Sequence, residues 1–337
     1  MSVRVAIIGA GAWGRNHVRT FANLKDATLT AVCDRRPAVL EALRPGLHDT
    51  KFVTDTEEAL ALADAVVVAT DAPSHVEVAL QALRADKDVL VEKPLALSSV
   101  DALKLCREAD ARGRMLMVGH LLLYHPAIEA LRAIIDSGEL GEVLYVVCRR
   151  LNLGVVRQRE NAWWSLAPHD LSIARYLLGS DPVAVAANGG TFLQDGIEDV
   201  VFGTVRFGQK QLAHIHVSWL DPHKVRSLTV VGSKKMAVFD DTSPDQKLVL
   251  FDKGIERPPA AVSYAEGVRI RTGDIRIPAI RMAEPLKREC GAFIESVQSR
   301  KPPIADGRSG LAVVRALEAG ARSLEQGGVE VAIQTGE

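Results

Sequence analysis

The stretch VRVAIIGAGAWG, Val3–Gly14, decides the fold of this chain. Its first half, Val3–Ile8, is dominated by apolar and β-branched residues, which predicts a strand that is covered on both faces. Its second half carries the motif Gly-x-Gly-x-x-Gly at Gly9, Gly11 and Gly14, directly after the strand and at the start of a helical pattern. The glycines permit a tight turn, and a helix N-terminus offers free N–H groups to an anion. The stretch therefore predicts a phosphate-binding strand, turn and helix.

Short apolar runs continue through the first third of the chain and alternate with amphipathic stretches. This alternation predicts right-handed βαβ units and a doubly wound parallel sheet, with a dinucleotide-binding Rossmann domain over residues 1–121. The further predicted strands are Thr28–Cys33, Ala65–Ala69, Val89–Glu92 and Met115–Val118.

The pattern changes after Gly119, where long extended runs follow one another through short turns. We expect residues 122–337 to form an α+β domain on a large, open, mostly antiparallel sheet. The stretch Lys253–Pro285 is polar and Arg-rich, and it predicts a long loop or arm. The predicted strands are Val143–Leu151, Val200–Phe207, Gln211–Leu220, Val225–Val231 and Met236–Asp240, and the predicted helices are Pro126–Ser137, His169–Leu178, Glu284–Gln298 and Gly307–Glu325.

Composition excludes several classes of partner. The 337 residues include 41 Lys plus Arg against 42 Asp plus Glu, so no net field attracts nucleic acid or an anionic membrane. The four cysteines lie far apart in the sequence and form no metal-binding pattern, so we expect no metal site and a reducing compartment. No apolar run approaches the ~18 residues of a membrane span, and we expect a cytoplasmic protein.

An acidic residue follows the glycine motif at the distance that a dinucleotide site requires. Asp34 ends the second predicted strand 20 residues after Gly14, where a carboxylate can bind the ribose hydroxyls of NAD. Arg35 and Arg36 come next and can serve the 2′-phosphate of NADP instead, so NAD is favoured and NADP stays open. The full set of expected cofactor contacts is Gly9, Gly11, Ala12, Trp13, Gly14, Asp34, Arg35, Thr70, His75, Glu92 and Lys93. For His75, a solvated position in a first helical turn is an equal alternative.

Glu92-Lys93-Pro94 ends the fifth predicted strand, at the sheet edge where ligands bind. A lysine there can polarise or protonate a substrate oxygen. An ordinary surface lysine at a strand end is the competing interpretation.

The glycine motif, Ala69-Thr70, Glu92-Lys93-Pro94 and the change to an α+β half together resemble the glucose-fructose oxidoreductase, inositol dehydrogenase and rhizopine-catabolism family. The resemblance implies that Lys93 is catalytic and that His169, on a helix of the second domain, faces it across the nicotinamide. Many members carry Asp four residues before this histidine, whereas this chain has Ser165. Either Asp170 substitutes or His169 is a weaker base, so the identity of the base stays open.

The segment from Arg150 to His169 resembles specifically the branch that oxidises C3 of UDP-N-acetylglucosamine. A nucleotide sugar needs cations for its diphosphate and flat surfaces for its base. The expected substrate contacts are Lys93, Tyr124, Asn152, Arg157, Trp163, Trp164, Ser165 and His169, and the further candidate cations are Arg150, Arg159, Lys224 and Arg226. The alternatives are a dehydrogenase of a free sugar or cyclitol, a 3-keto-sugar reductase, or a non-catalytic dinucleotide-binding regulator. The resemblance also implies a homo-oligomer, either a dimer or a tetramer.

Overall fold

The computed structural model describes residues 2–256 and 269–334. The chain forms two compact units, which we call unit 1 and unit 2. Unit 1 comprises Met1–His125 and Ala283–Arg315, and unit 2 comprises Pro126–Met282 and Ala316–Glu337. Unit 1 is thus built from two separate parts of the sequence, whereas the expected domains were continuous over 1–121 and 122–337.

Nine α-helices lie within the described residues. Their bounds are α1 Gly14–Ala22, α2 Pro37–Glu41, α3 Thr56–Ala61, α4 His75–Arg84, α5 Ser99–Arg112, α6 Pro126–Asp136, α7 Ala162–Leu178, α8 Pro285–Ser299 and α9 Gly307–Glu325. Single 3₁₀ turns lie at Ala72–Ser74 and Leu121–Tyr124. None of these helices combines the length and apolar character that a bilayer-crossing segment needs, in the part of the chain that the structure describes.

The sheet of unit 1 confirms the predicted Rossmann architecture. Its strands are β1 Val3–Ile8, β2 Ala27–Cys33, β3 Lys51–Val53, β4 Ala65–Val68, β5 Asp88–Glu92 and β6 Leu116–Gly119. They pair in parallel in the order β3-β2-β1-β4-β5-β6. This order reverses direction at β1, so the crevice beyond the carboxyl ends of β1 and β4 is the expected ligand site. β3 was not predicted, because three residues are too few to show a periodicity.

The sheet of unit 2 confirms the open, mostly antiparallel architecture. Its strands are β7 Val143–Leu153, β8 Pro182–Gly190, β9 Val200–Phe207, β10 Gln211–Ser218, β11 Leu220–Gly232, β12 Met236–Asp240, β13 Leu248–Glu256, β14 Arg269–Arg276 and β15 Val331–Ala332. The order is β14-β13-β12-β11-β7-β10-β9-β8-β15, and among the described strands only β7 and β10 pair in parallel.

The loop or arm predicted over Lys253–Pro285 is wrong for much of its length. Residues 253–256 complete β13, and Arg269–Arg276 form the edge strand β14. Residues 270 and 272–276 of this edge strand are exposed. With no continuous buried face to impose apolar alternation, its Arg-rich sequence does not show it as a strand. Residues 257–268 lie outside the described part of the chain.

Helix α7 begins seven residues before the predicted start at His169. The side chain of Asn161 caps it by accepting a hydrogen bond of 3.1 Å from the backbone N–H of Trp164. Pro168 lies inside the helix, and its character as a helix breaker explains the late predicted start. The consequence is that His169 lies in the third turn of a long helix.

Trp163 anchors α7 in the core of unit 2. Its ring is fully buried, and the indole N–H donates to the carbonyl oxygen of Leu317 at 3.1 Å. A Cβ at Gly203 would lie 2.7 Å from the ring, so the ring needs the glycine in order to pack on the sheet. The structure therefore places Trp163 in the core, contrary to the expected substrate contact, because a ring with no exposed surface has none to offer a ligand.

Replacing Trp163 with Ala should lower the free energy of unfolding by about 3–5 kcal/mol, because a large buried ring leaves a cavity that the sheet cannot close. The half-buried neighbour Trp164 supplies the matched control, and Trp164→Ala should cost less than about 2 kcal/mol. Urea denaturation followed by far-UV circular dichroism measures both. Equal losses for the two variants would contradict the assignment of Trp163 to the core.

Candidate active site

The glycine-rich turn of unit 1 is held close to the end of β4. Gly9 has φ +94°, and a Cβ there would lie 2.6 Å from backbone atoms of Ala69 and Thr70. A Cβ on Gly14 would collide with the carbonyl oxygen of Gly9. The turn therefore tolerates no side chain at these two positions. The resulting cradle at the N-terminus of α1 fits the pyrophosphate of a dinucleotide, and Ala12 and Trp13 are exposed beside it.

Asp34 is a buried carboxylate at the end of β2. It accepts hydrogen bonds from the backbone N–H of Ala10 at 2.9 Å and from the guanidinium of Arg36 at 3.0 and 3.1 Å. Burial alone would raise the pKa of Asp34, but the hydrogen bonds from Arg36 and Ala10 outweigh it and the pKa is lowered. The carboxylate is therefore charged and fixed beside the turn.

Arg36 is the guanidinium that the structure places next to the glycine-rich turn. Its Nη2 would lie 3.8 Å from a Cβ on Gly11, and its side chain is 65 % exposed. Arg35, which was expected to contact the cofactor, is exposed on the neighbouring position. Adjacent side chains leave the backbone in different directions. Of the two arginines, it is Arg36 that forms the ion pair with Asp34.

His75 is buried at the start of α4, with 1 % of its surface exposed. One ring nitrogen lies 2.8 Å from the carbonyl oxygen of Pro94, and the other lies 3.2 Å from that of Thr70. His75 therefore ties the segment after β4 to the segment after β5. This position corrects both earlier interpretations, because the ring is neither solvated nor turned outward toward a cofactor.

Glu92 and Lys93 sit at the carboxyl end of β5. The Glu92 carboxylate accepts hydrogen bonds from the indole N–H of Trp13, from His17 Nε2 at 2.6 Å and from the backbone N–H of Lys93 at 3.2 Å. Burial would raise the pKa of Glu92, but the contacts with His17 and Trp13 and the charge of Lys93 lower it. Glu92 thus links the glycine-rich turn to the lysine, and the Lys93 side chain is half-buried.

His169 in unit 2 is half-buried on α7, and Ser165 is buried one turn before it on the same helix face. Asp170 binds the guanidinium of Arg150 through both oxygens, at 2.9 and 3.0 Å, and both side chains are buried. This ion pair commits Asp170 to Arg150, which argues against Asp170 as the replacement for the missing aspartate. The ion pair also makes Arg150 unavailable as one of the cations expected to bind a diphosphate.

The remaining expected substrate residues occupy different environments. Arg157 is exposed and lies 3.4 Å from Glu160, while Asn152 and Trp164 are half-buried. Tyr124 belongs to unit 1 and is 7 % exposed, with its hydroxyl 3.9 Å from Met117 Sδ. Tyr124 therefore offers no exposed aromatic surface to a nucleotide base.

Three buried residues of this region were missed by the sequence analysis. His17 on α1 and Glu289 and Cys290 on α8 lie close to Glu92. A signal was present in the sequence, since Glu289 falls on the apolar face of α8 between Leu286 and Phe293. An acidic residue on an apolar helix face marks a buried carboxyl group.

Comparison with known proteins finds matches over most of this chain. Residues 3–120 match the model of the oxidoreductase family with an NAD-binding Rossmann fold, and residues 128–238 match the GFO/IDH/MocA C-terminal domain. The inositol 2-dehydrogenase of Pseudomonas fluorescens (strain SBW25) is 30% identical over 315 residues, which cover 89% of this chain and 87% of that protein.

Solved structures agree with the fold. A putative oxidoreductase from Magnetospirillum magnetotacticum superposes with a TM-score of 0.80 at 31% identity, covering 95% of this chain and 99% of that one. The UDP-N-acetylglucosamine 3-dehydrogenase GnnA from Acidithiobacillus ferrooxidans has a TM-score of 0.80 at 24% identity, covering 97% and 98%. At that identity the second similarity shows the fold alone.

Arg36→Gln should weaken binding of NADP by about 10-fold or more and leave NAD binding within about 3-fold, because a 2′-phosphate needs a cation beside the ribose site. Arg35→Gln is the matched control and should change neither affinity by more than about 2-fold. Isothermal titration of each variant with both dinucleotides measures the effect. A larger loss of NADP affinity in Arg35→Gln would restore Arg35 as the cofactor contact.

Proposed function

Because this chain belongs to the Gfo/Idh/MocA family of oxidoreductases, we propose that it is the NAD-dependent dehydrogenase that oxidises the C3 hydroxyl of a nucleotide-linked sugar of the UDP-N-acetylglucosamine type. The reaction class, an NAD(P)-dependent dehydrogenation at a sugar or cyclitol hydroxyl, follows from the family. The substrate and the roles of individual residues are our proposal.

The cofactor is held by the cradle of unit 1. The N-terminus of α1 and the turn at Gly9–Gly14 receive the pyrophosphate, and Asp34 receives the ribose hydroxyls. Thr70 and Lys93 lie on the two segments that His75 joins. When bound, the nicotinamide supplies the acceptor for the hydride that leaves the substrate carbon.

Lys93 and His169 are the proposed proton-transfer residues. A lysine amine that is half-buried at the end of β5 can orient a hydroxyl and accept its proton as the carbonyl forms. Glu92 then stabilises the resulting ammonium, since its carboxylate is anchored directly before the lysine. His169 supplies the second titratable group, and Ser165 on the same helix face cannot give it the charge that an aspartate would.

The observation that carries the choice of substrate is a set of basic side chains at one end of the sheet in unit 2. β7 ends at Leu153, which pairs with Leu220 of β11, and Val225 of β11 pairs with Leu151. This register brings the loop that follows β7 to the same end as the outward bulge of β11. The exposed basic residues on these two segments are Arg157 and Arg159 after β7, and His223 and Lys224 in β11. A diphosphate would use such a group, whereas a small uncharged polyol would not.

A free cyclitol is the second candidate substrate. One inositol 2-dehydrogenase is 30% identical to this chain over 315 residues. Another is 26% identical over 341 residues. The burial of Arg150 against Asp170 favours this candidate as well, because it removes one of the cations that a diphosphate was expected to meet.

We also propose that the protein self-associates and works in the cytoplasm. One face of the unit 2 sheet exposes Tyr145, Phe202 and Leu212 by 43%, 45% and 40%, which supports an interface between copies. Tyr145 and Leu212 are paired neighbours across β7 and β10. The four cysteines are buried free thiols, which supports a reducing compartment.

Lys93→Met should preserve dinucleotide affinity within about 3-fold and reduce kcat by ~10²- to 10⁴-fold, because the hydroxyl loses its proton acceptor. His169→Asn should also reduce kcat, and the pH profiles of the two variants identify the base. Lys87→Met, at the opposite end of β5, is the control and should behave like the wild type. Near-normal turnover of Lys93→Met would place the chemistry elsewhere.

The purified protein should reduce NAD with UDP-N-acetylglucosamine or its uronic acid, and deuterium at C3 of the sugar should appear in the reduced cofactor. Diphosphate contacts of about 1.5–3 kcal/mol each would make the free sugar a poorer substrate by several decades. Turnover of myo-inositol with no response to any UDP-sugar would overturn the first candidate and establish the second.

A further inference from the structure

Two loops of unit 2 lie at the end of the sheet where β7 and β10 finish. We call residues 154–161 the β7–α7 loop and residues 191–199 the β8–β9 loop. Gly190 pairs with Val200 across the base of the second loop, and Val200 also pairs with Ser218, the last residue of β10. β10 runs parallel to β7 and ends beside it. The register therefore brings both loops to the same end of the sheet.

Hydrogen bonds join the two loops to each other. The side-chain amide of Gln194 donates to the carbonyl oxygen of Arg157 at 2.9 Å. The amide of Asn161 donates to the carboxylate of Glu198 at 2.7 Å, and the backbone N–H of Ala162 donates to the carbonyl oxygen of Glu198 at 2.9 Å. The β8–β9 loop is thus bound at two places to the segment that carries the exposed arginines after β7.

A buried carboxylate fixes the backbone of the β8–β9 loop. One oxygen of Asp199 accepts hydrogen bonds from the backbone N–H groups of Phe192 at 2.7 Å and of Leu193 at 2.8 Å. The other oxygen accepts from the indole N–H of Trp219. Burial alone would raise the pKa of Asp199, but these hydrogen bonds outweigh it and the pKa is lowered. The charged carboxylate therefore holds the loop at Phe192 and Leu193.

The ring of Phe192 is exposed although its backbone is held. Its exposed fraction is 69%. A Cβ on Gly190 would lie 2.6 Å from Cε2 and 2.7 Å from Cζ of this ring, so the ring lies against a backbone that carries no side chain. Single exposed apolar residues are common on protein surfaces. Phe192 differs from them because a buried carboxylate positions its backbone and a glycine supports its ring.

Phe192 supplies a surface that the expected aromatic contacts lack. A nucleotide base stacks on a flat aromatic ring, and the diphosphate beside it needs cations. Tyr124 and Trp163 were expected to meet the substrate, but both are buried. Phe192 is two residues from Gln194, so at most ~7 Å separates its Cα from the Cα of the residue that contacts Arg157. An exposed ring and exposed cations therefore lie on loops that are bound together.

We propose that Phe192 stacks on the base of the nucleotide-linked substrate, while Arg157 and Arg159 on the β7–α7 loop bind its diphosphate. The inference rests on the proposed function, because it needs a substrate that carries a nucleotide. Stacking on an aromatic ring tolerates different bases, since every base has a π-face. Phe192 therefore favours a nucleotide-linked sugar over a free sugar without selecting the base.

The experiment measures binding of UDP by isothermal titration. The protein is first saturated with NADH, so that the cradle of unit 1 is occupied and UDP reports the second site. Phe192→Ala should weaken UDP binding by about 5- to 150-fold, because one base loses its stacking partner. Inorganic pyrophosphate, measured by its displacement of UDP, has no base and should bind the wild type and the variant within about 2-fold.

Two variants serve as controls. Phe192→Tyr keeps an aromatic ring and should bind UDP within about 3-fold of the wild type. Leu193→Ala changes the neighbouring side chain, which is 53% exposed and whose N–H meets the same carboxylate, and it should change UDP affinity by less than about 2-fold. Since Phe192 is exposed, Phe192→Ala should keep the wild-type midpoint of urea unfolding. Equal losses of UDP affinity in Phe192→Ala and Leu193→Ala would overturn the inference.

The remaining outcomes separate the inference from the proposed function. If wild-type protein does not bind UDP, the nucleotide-linked substrate is wrong. If the wild type binds UDP and Phe192→Ala binds it equally well, only the role of Phe192 is wrong. Equal losses of UDP and pyrophosphate affinity in Phe192→Ala would show that the ring positions the loop rather than stacks on a base, and this result also overturns the inference.

Discussion

The close approach of the glycine-rich turn to the end of β4 is the constraint on which unit 1 depends. A Cβ at Gly9 would meet backbone atoms of Ala69 and Thr70, and one at Gly14 would meet the Gly9 carbonyl. The turn is held close to the sheet, and the indole N–H of Trp13 beside it donates to the Glu92 carboxylate. The cradle for the cofactor and the contact between the turn and Glu92 therefore depend on the absence of two side chains.

Sequence patterns predicted the fold better than the site. The predicted bounds are correct for β1, β9, β12 and α9. Each of these elements is buried on one or both faces, and the spacing of its apolar residues reflects that burial. Five described strands were not predicted, namely β3, β8, β13, β14 and β15. Of these, β3 is too short to show a periodicity, and β14 is exposed at residues 270 and 272–276. Periodicity reports burial, and elements without a regular buried face do not show it.

Side-chain environments were harder to predict because they depend on partners far away in the sequence. Arg36 rather than Arg35 lies beside the turn, since Asp34 holds it in an ion pair. Trp163 and Arg150 look like ligand contacts by residue type, yet Leu317 and Asp170 retain them in the interior of unit 2. A motif identifies the types of residue that a reaction needs. Tertiary contacts decide which residues of those types stay available to bind a ligand.

The return of the chain to unit 1 affects how the protein is made. α8 packs on α1 and on the turn Leu121–Tyr124, so Glu289 and Cys290 reach Glu92 and His17 only once synthesis has passed residue 290. The first Rossmann strands therefore leave the ribosome before α8 has been made. The apolar surface of unit 1 that α8 covers stays exposed while unit 2 is still being translated. The late helices close that surface, and premature termination anywhere before residue 283 removes the part of unit 1 that surrounds its buried charges.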